Sequence, residues 1–241
     1  MARELADETL AVILEQCLVV PDNDFACTNS RASPFANIRE PSSNYLVVCK
    51  RWMRICTPLL YQTIVLRSQP QATALAAVLR PKAHPEFGNY IRKMRIEGGY
   101  GSATKQILLA APKITDICVT LDLYAADNVE PMCAVMATAF QPQHLILASS
   151  YDSRERTNKQ LNTMLTALHN CIGTWKSLVR SCWVPCLYLA HFHACSLART
   201  VSRLSIYSSV PTNALAVPLY QPTIFERFAW PTGWSGLTSA S

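Results

Sequence analysis

Charge is scarce in this chain. Only 16% of its 241 residues are Asp, Glu, Lys or Arg, against about a quarter in ordinary soluble domains. A surface so poor in charge belongs to an unusually buried chain or to one that meets a partner. Long apolar runs are missing too. No stretch approaches the roughly 18 residues of a membrane span, and His191 and His193 interrupt the most apolar segment, 184–198. The N-terminus carries Arg3, Glu4, Asp7 and Glu8 and lacks the basic start and apolar stretch of a signal peptide. A cytoplasmic or nuclear protein without membrane contact is expected.

Regular cysteine spacing is also lacking. Ten cysteines are present, and without a secretory leader they are expected as thiols, several of them buried as small apolar groups. The densest group, Cys182, Cys186, His191, His193 and Cys195, follows no standard zinc spacing. Trp183, Leu187, Tyr188, Leu189 and Phe192 interleave with it, so it reads as a core segment and no metal is expected. Motifs of chemistry are missing as well: no G-x-S-x-G, H-E-x-x-H or G-x-x-x-x-G-K-[ST] occurs. Gly98, Gly99 and Gly101, followed by Ser102, Thr104 and Lys105, lack the register of a phosphate loop and read as a strand-to-helix turn. Asp122 and Asp127 fall in a loop-like stretch with no base or metal partner nearby. The protein is not expected to be an enzyme or to need a cofactor. Net charge is +6, yet Lys50, Arg51, Arg54 and Arg92, Lys93, Arg95 form two short groups, neither of them a long basic run with interleaved aromatics, so no nucleic-acid partner is expected.

What is present is pattern. Leu10, Ile13, Leu14 and Cys17 recur at helical spacing and predict a helix over 5–18, with Asp7 and Glu8 in its first turn and Pro21 and Asp22 as the stop. Residues 19–44 are rich in turn formers and predict a long surface loop, pinned by Phe25 and Phe35. A second helix is predicted over 45–56, with Tyr45, Val48, Cys49, Trp52 and Cys56 on one face. Pro58 is expected to open a new element, followed by a strand over 61–66 and a short helix over 71–80. From Tyr90 the regime changes. Runs at 91–96, 114–119, 144–147, 175–179 and 201–206 alternate apolar residues as half-buried strands do. Met94, Ile117 and Leu145 lie 23 and 28 residues apart. Helices are predicted between them over 103–111 and 158–173. One strand per 20 to 30 residues predicts a leucine-rich-repeat-like solenoid over 90–206, after a linker at 67–89. Residues 207–241, broken by Pro211, Pro218, Pro222 and Pro231, predict an irregular tail. The fold class is α+β leaning to α/β, with a small helical module over 1–66 ahead of the strand/helix array.

Two stretches of the helical module resemble the F-box family. Leu5–Leu14 (LADETLAVIL) is similar to the family's opening Leu-Pro-x-Glu-hydrophobic-x-x-x-Ile-hydrophobic pattern. Tyr45–Leu66 (YLVVCKRWMRICTPLLYQTIVL) is similar to its Val-Cys-Lys-x-Trp helix, which Pro-Leu-Leu-Tyr and a hydrophobic strand follow. Ala6 stands where the family carries proline, and the insertion at 19–44 splits the motif. Such insertions, followed by leucine-rich-repeat-like regions, resemble F-box-like proteins of mushroom-forming fungi. The resemblance implies docking on a Skp-type adaptor that joins the chain to a cullin scaffold, with the repeat region receiving a protein substrate. It implies that Leu5, Leu10, Ile13, Leu14, Val48, Cys49, Trp52, Pro58, Leu59, Leu60 and Tyr61 close the F-box core or meet the adaptor, two sets that the sequence does not divide. Substrate is expected on the outward side of the strands, for example at Arg92, Arg95, Thr115 and Asp116. The alternative is a repeat-type interaction scaffold whose F-box-like end packs on itself and recruits nothing.

Overall fold

A parallel strand cannot reach its neighbour through a tight turn, so each pair needs a crossover that also supplies cover. The computed structural model describes residues 5–27, 33–36, 42–148, 158–183 and 205–206, and for 180–183 and 205–206 the strand pairing alone. The chain opens with helices α1 (Asp7–Leu18) and α2 (Asp22–Phe25), a 3₁₀ turn at Ser42–Val47, and helix α3 (Lys50–Gln62). Strand β1 (Thr63–Leu66), α4 (Gln69–Val78), a 3₁₀ turn at Pro85–Asn89, β2 (Lys93–Ile96), α5 (Gly101–Ala110) and β3 (Asp116–Thr120) follow. Then come α6 (Glu130–Thr138), β4 (His144–Ala148), α7 (Lys159–Ile172), β5 (Arg180–Trp183) and β6 (Ser205–Ile206). The strands form one six-stranded parallel sheet in the order β1-β2-β3-β4-β5-β6. The fold is thus mixed helix and parallel sheet, on the α/β side of the expected class.

Register explains the core. Met94, Ile117 and Leu145 stand side by side across β2, β3 and β4, as do Ile96, Val119 and Leu147. All six are buried. They pack into one cluster with Ala76 of α4, Ile107 of α5, Met132 and Met136 of α6, and Met164 and Leu168 of α7. The helices pack in the same sequence, α4 on α5, α5 on α6 and α6 on α7. The intervening strand residues Arg95, Cys118 and Ile146, also in register, belong to the opposite face.

Local signals set the helix starts. Ser68 accepts the Gln71 amide at the head of α4, with Pro70 in the first turn, where a missing N–H costs nothing. Asn158 caps α7 by accepting the Leu161 amide at 2.8 Å, and its Nδ2 donates to the Leu123 carbonyl at 2.7 Å. Asn158→Ala removes both bonds and is expected to cost about 1–2 kcal/mol, read as a lower midpoint in urea with an unchanged slope. The glycine cluster is the expected strand-to-helix turn. Gly101 takes φ 56° at the start of α5, and a Cβ on Gly99 would stand 2.9 Å from the Asn128 amide nitrogen.

Four expectations need correction. Pro58 does not begin an element; it lies inside α3. The bond it cannot make leaves the carbonyl of Arg54 free, and Arg54 is exposed, so water can satisfy it. The run 175–179 is not a strand, which forms instead at Arg180–Trp183. Trp175 is buried in the turn before it, edge-on to Phe140 with centroids 6.1 Å apart, and donates from Nε1 to the Met136 carbonyl at 3.1 Å. Its apolar alternation therefore marks a plug under α6 and not a pleat. Helix α6 was not anticipated, because Ala134 and Ala137 stand on its exposed face and blunt the contrast with the buried Met132, Cys133, Val135 and Met136. The loop at 19–44 contains α2, although Phe25 and Phe35 do pin it, both being buried. The tail at 207–241 and the Cys186–Cys195 part of the cysteine–histidine group lie outside the described residues.

Candidate functional site

Helix α1 is apolar on two sides. Leu10, Leu14 and Leu18 are buried, at i, i+4 and i+8, and close a small cluster with Cys56 of α3. Tyr45, Leu46, Trp52, Ile55, Leu59 and Leu60 pack partly buried against it. At 100° per residue Val12 points about 160° away from Leu14. Val12 is 59% exposed and Ile13 48%. Leu5, just ahead of the helix, is exposed too, as are Val47, Val48 and Met53 on the neighbouring turn and helix.

The structure thus divides the predicted residues. Leu10 and Leu14 are internal. Leu5, Ile13, Val48 and Cys49 face outward. Trp52, Pro58, Leu59, Leu60 and Tyr61 are half-buried at the seam. The stripe anticipated on α1 therefore splits, with Ile13 and Cys17 exposed and Leu18 taking the inner place. Trp52 stacks on Tyr45 with centroids 6.3 Å apart. Cys49 caps α3, its Sγ accepting the Trp52 amide at 3.5 Å. Tyr61 tilts on Phe87, centroids 4.8 Å apart, and so ties α3 to the turn ahead of β2.

An ion pair joins the two helices. Asp7 accepts Nε of Arg51 at 2.6 Å and a second hydrogen bond from Arg54, while Arg51 also reaches the Leu5 carbonyl. The bonds from Arg51, then Arg54, hold the Asp7 carboxyl below its ordinary value. A depressed folded-state value means that the bridge stabilises fully above the unfolded value, about 3.9, and is lost as pH falls through the folded one. Asp7→Asn is therefore expected to lower the melting temperature at pH 7. The gap from the unaltered chain should close in thermal scans taken towards pH 2.

The second feature is the sheet face turned away from α4–α7. Arg95, expected on the surface, is only 3% exposed. Its Nε donates to Glu97 Oε1 at 2.6 Å, and its Nη1 donates to the carbonyls of Phe25 at 2.8 Å and Cys27 at 2.9 Å. Phe35 lies over its guanidinium, 5.7 Å from ring centroid to Cζ. Arg67 pairs with Glu97 at 3.5 Å and donates to the Phe35 carbonyl at 2.7 Å, and Ser33 Oγ donates to Glu97 at 2.8 Å. Arg92, Thr115 and Asp116 are half-buried. Asp116 meets His144 Nδ1 at 2.7 Å across the β3–β4 register.

Sequence reasoning missed this network. The i, i+2 spacing of Arg95 and Glu97 was a signal for their pairing on one face of a strand, but nothing in sequence linked them to Ser33 or Phe35, sixty or more residues earlier. Two basic groups considered for nucleic acid are largely spoken for: Arg51 and Arg54 by Asp7, Arg92 by the Asn89 carbonyl, Lys93 by Asp22, and Arg95 by Glu97. Among the described residues no helix is long and apolar enough to cross a membrane. No family model matches the chain, and neither a curated protein nor a solved structure matches it.

Proposed function

We propose that this protein is a substrate receptor of a cullin-type (SCF) ubiquitin ligase. Its helical end is an F-box that docks on a Skp-type adaptor, and its sheet region is a leucine-rich-repeat-like solenoid that binds a protein substrate. The observation that carries this reading is the two-sided α1: Leu10, Leu14 and Leu18 turn inward, while Val12 and Ile13, with Leu5, Val47, Val48 and Met53, remain uncovered. A helix that keeps apolar residues on its outer side as well as its inner one is stabilised where a second body covers them. The exposed residues come from the same stretches, Leu5–Leu14 and Tyr45–Leu66, that resemble the family. The sequential parallel sheet with helices stacked in chain order supports the solenoid reading, each unit burying its face only against its neighbours.

Such a receptor needs no reacting group of its own. It works by holding substrate lysines at high effective concentration beside the loaded conjugating enzyme, in the cytoplasm or nucleus. The decisive experiment is co-expression with a Skp-type adaptor. A stoichiometric complex that survives size exclusion is the expected result.

One observation favours the second reading, an interaction scaffold with a self-packed end: Leu10, Leu14, Leu18 and Cys56 do close a core unaided. A stable monomer that ignores the adaptor would establish that reading in place of the first.

A further inference from the structure

The sheet face opposite α4–α7 is covered by the chain itself. Residues 20–27 and 33–36 lie on it, and the way they are held is unusual for a structural element. Their described backbone hydrogen bonds stay within the two stretches, as in Phe25 to Pro21, Ala26 to Asp22 and Ala36 to Ser33. They add no strand to the sheet. Among the described residues the polar ties to the sheet run through side chains: Arg95 to two carbonyls, Arg67 to one, Glu97 to Ser33, and Lys93 to Asp22. The apolar part is small. Phe25, Cys118 and Ala148 form a buried cluster separate from the main core, with Val20 and Ile146 at its edge.

The receiving side, in contrast, is built into the sheet. Arg95, Glu97 and Cys118 stand on or beside strands whose other face is the main core. A guanidinium presents several donors in a fixed fork. Here Arg95 uses one edge on a carboxylate of its own sheet and offers another to main-chain carbonyls of an arriving segment, while an aromatic ring covers its plane. Lys93 adds a positive charge that meets Asp22 and lies 6.0 Å from the Phe25 centroid. Carbonyls two residues apart, an aromatic side chain and an acidic residue three before it are features of a peptide, supplied here by Asp22–Cys27.

We propose that the face around Lys93, Arg95 and Cys118 is the recognition surface for an acidic-aromatic segment of a partner protein, of the pattern Asp-x-x-Phe. Residues 20–27 and 33–36 are a strap that occupies this surface in cis. The strap is the low-stability part of the fold, since its release breaks side-chain ties and one three-residue cluster and leaves the sheet ladder and the main core whole. Release also uncovers the Arg95–Glu97 pair. A competing segment that restores the two carbonyls and the Phe25 ring packed on Cys118 is thus selected over one that merely fits an apolar groove. The inference rests on the sheet region being the recognition surface, and not on capture of an adaptor.

The test uses the full chain and a fluorescent synthetic peptide, Val20–Cys27. Anisotropy titration is made against the unaltered protein and against Phe25→Ala/Phe35→Ala, which unpins the strap. The opened variant is expected to bind at least about tenfold tighter, because the cis competitor no longer fills the site. A peptide carrying alanine at the Phe25 position is expected to lose binding to the same opened protein. If the double variant fails to fold, Asp22→Lys serves, since Asp22 is 81% exposed and its change loosens the strap from outside the cluster. In the unaltered chain, excess peptide is expected to speed hydrogen exchange at the amides of Asp24–Cys27. A folded, opened variant that binds the peptide no better than its parent overturns the proposal, as does strap exchange that peptide leaves unchanged. No adaptor is present in these measurements, so their failure leaves the co-expression result untouched, and the reverse holds.

Discussion

Replacing Ile13 with aspartate is expected to abolish capture of a Skp-type adaptor while leaving the melting temperature of the chain within about one degree. Ile13 is roughly half exposed and lies outside the cluster formed by Leu10, Leu14, Leu18 and Cys56. Surface changes of this kind usually move stability by no more than about 0.5 kcal/mol. In a complex the same carboxylate would be shut against an apolar partner without a counter-charge. An unpaired buried charge of this kind costs several kcal/mol, so affinity should fall by at least about a hundredfold. Val12→Asp is expected to behave in the same way, since Val12 is the more exposed of the two. Leu14→Asp supplies the contrast: it puts the charge into the helical core and should lower both binding and melting temperature. Pull-down and thermal unfolding on the three variants separate an outer docking face from an inner packing face. Full adaptor capture by both Val12→Asp and Ile13→Asp would remove the outer face of α1 from the interface and favour the self-packed scaffold.

Arg95→Met should destabilise the folded chain by about 3 kcal/mol. Breaking a buried ion pair from one side costs roughly 3–5 kcal/mol, because the remaining charge keeps its desolvation penalty. The lower end applies here, since Arg67 and Ser33 still hold Glu97. The carbonyls of Phe25 and Cys27 lose their donor in the same change. Arg95→Lys should recover little, because one ammonium cannot serve a carboxylate, two carbonyls and a ring plane together. Urea denaturation measures the loss. A cost below about 1 kcal/mol, the level of an exposed pair, would mean that water replaces the strap at no penalty and that Arg95 is not its anchor.

The strands that position this face were legible because alternation is a local property. Met94 and Ile96, Ile117 and Val119, Leu145 and Leu147 each sit two apart, and the structure buries all of them on one face. The bounds of α7 were equally plain, since Asn158 and Gly173 mark its ends chemically. Helix α6 escaped for the opposite reason: its exposed face carries Ala134 and Ala137, so there is little polar contrast with the buried side. Pro58 misled because proline was weighed as a breaker, whereas an exposed carbonyl one turn earlier lets the helix continue.

By itself, then, the sequence determined that the segments around Met94, Ile117 and Leu145 are strands, where α7 begins and ends, and that the first helix is rich in apolar residues. These depend on spacing within one turn or one pleat, and neighbours along the chain carry that information. Only the tertiary structure decided which apolar residues of α1 face inward and which are left for another body, for that division depends on where α3 lies. It alone placed the Phe25 carbonyl and the Phe35 ring on Arg95. Contacts between residues sixty or seventy positions apart leave no periodic trace, and the burial of a charged side chain depends on what the remote chain brings to cover it.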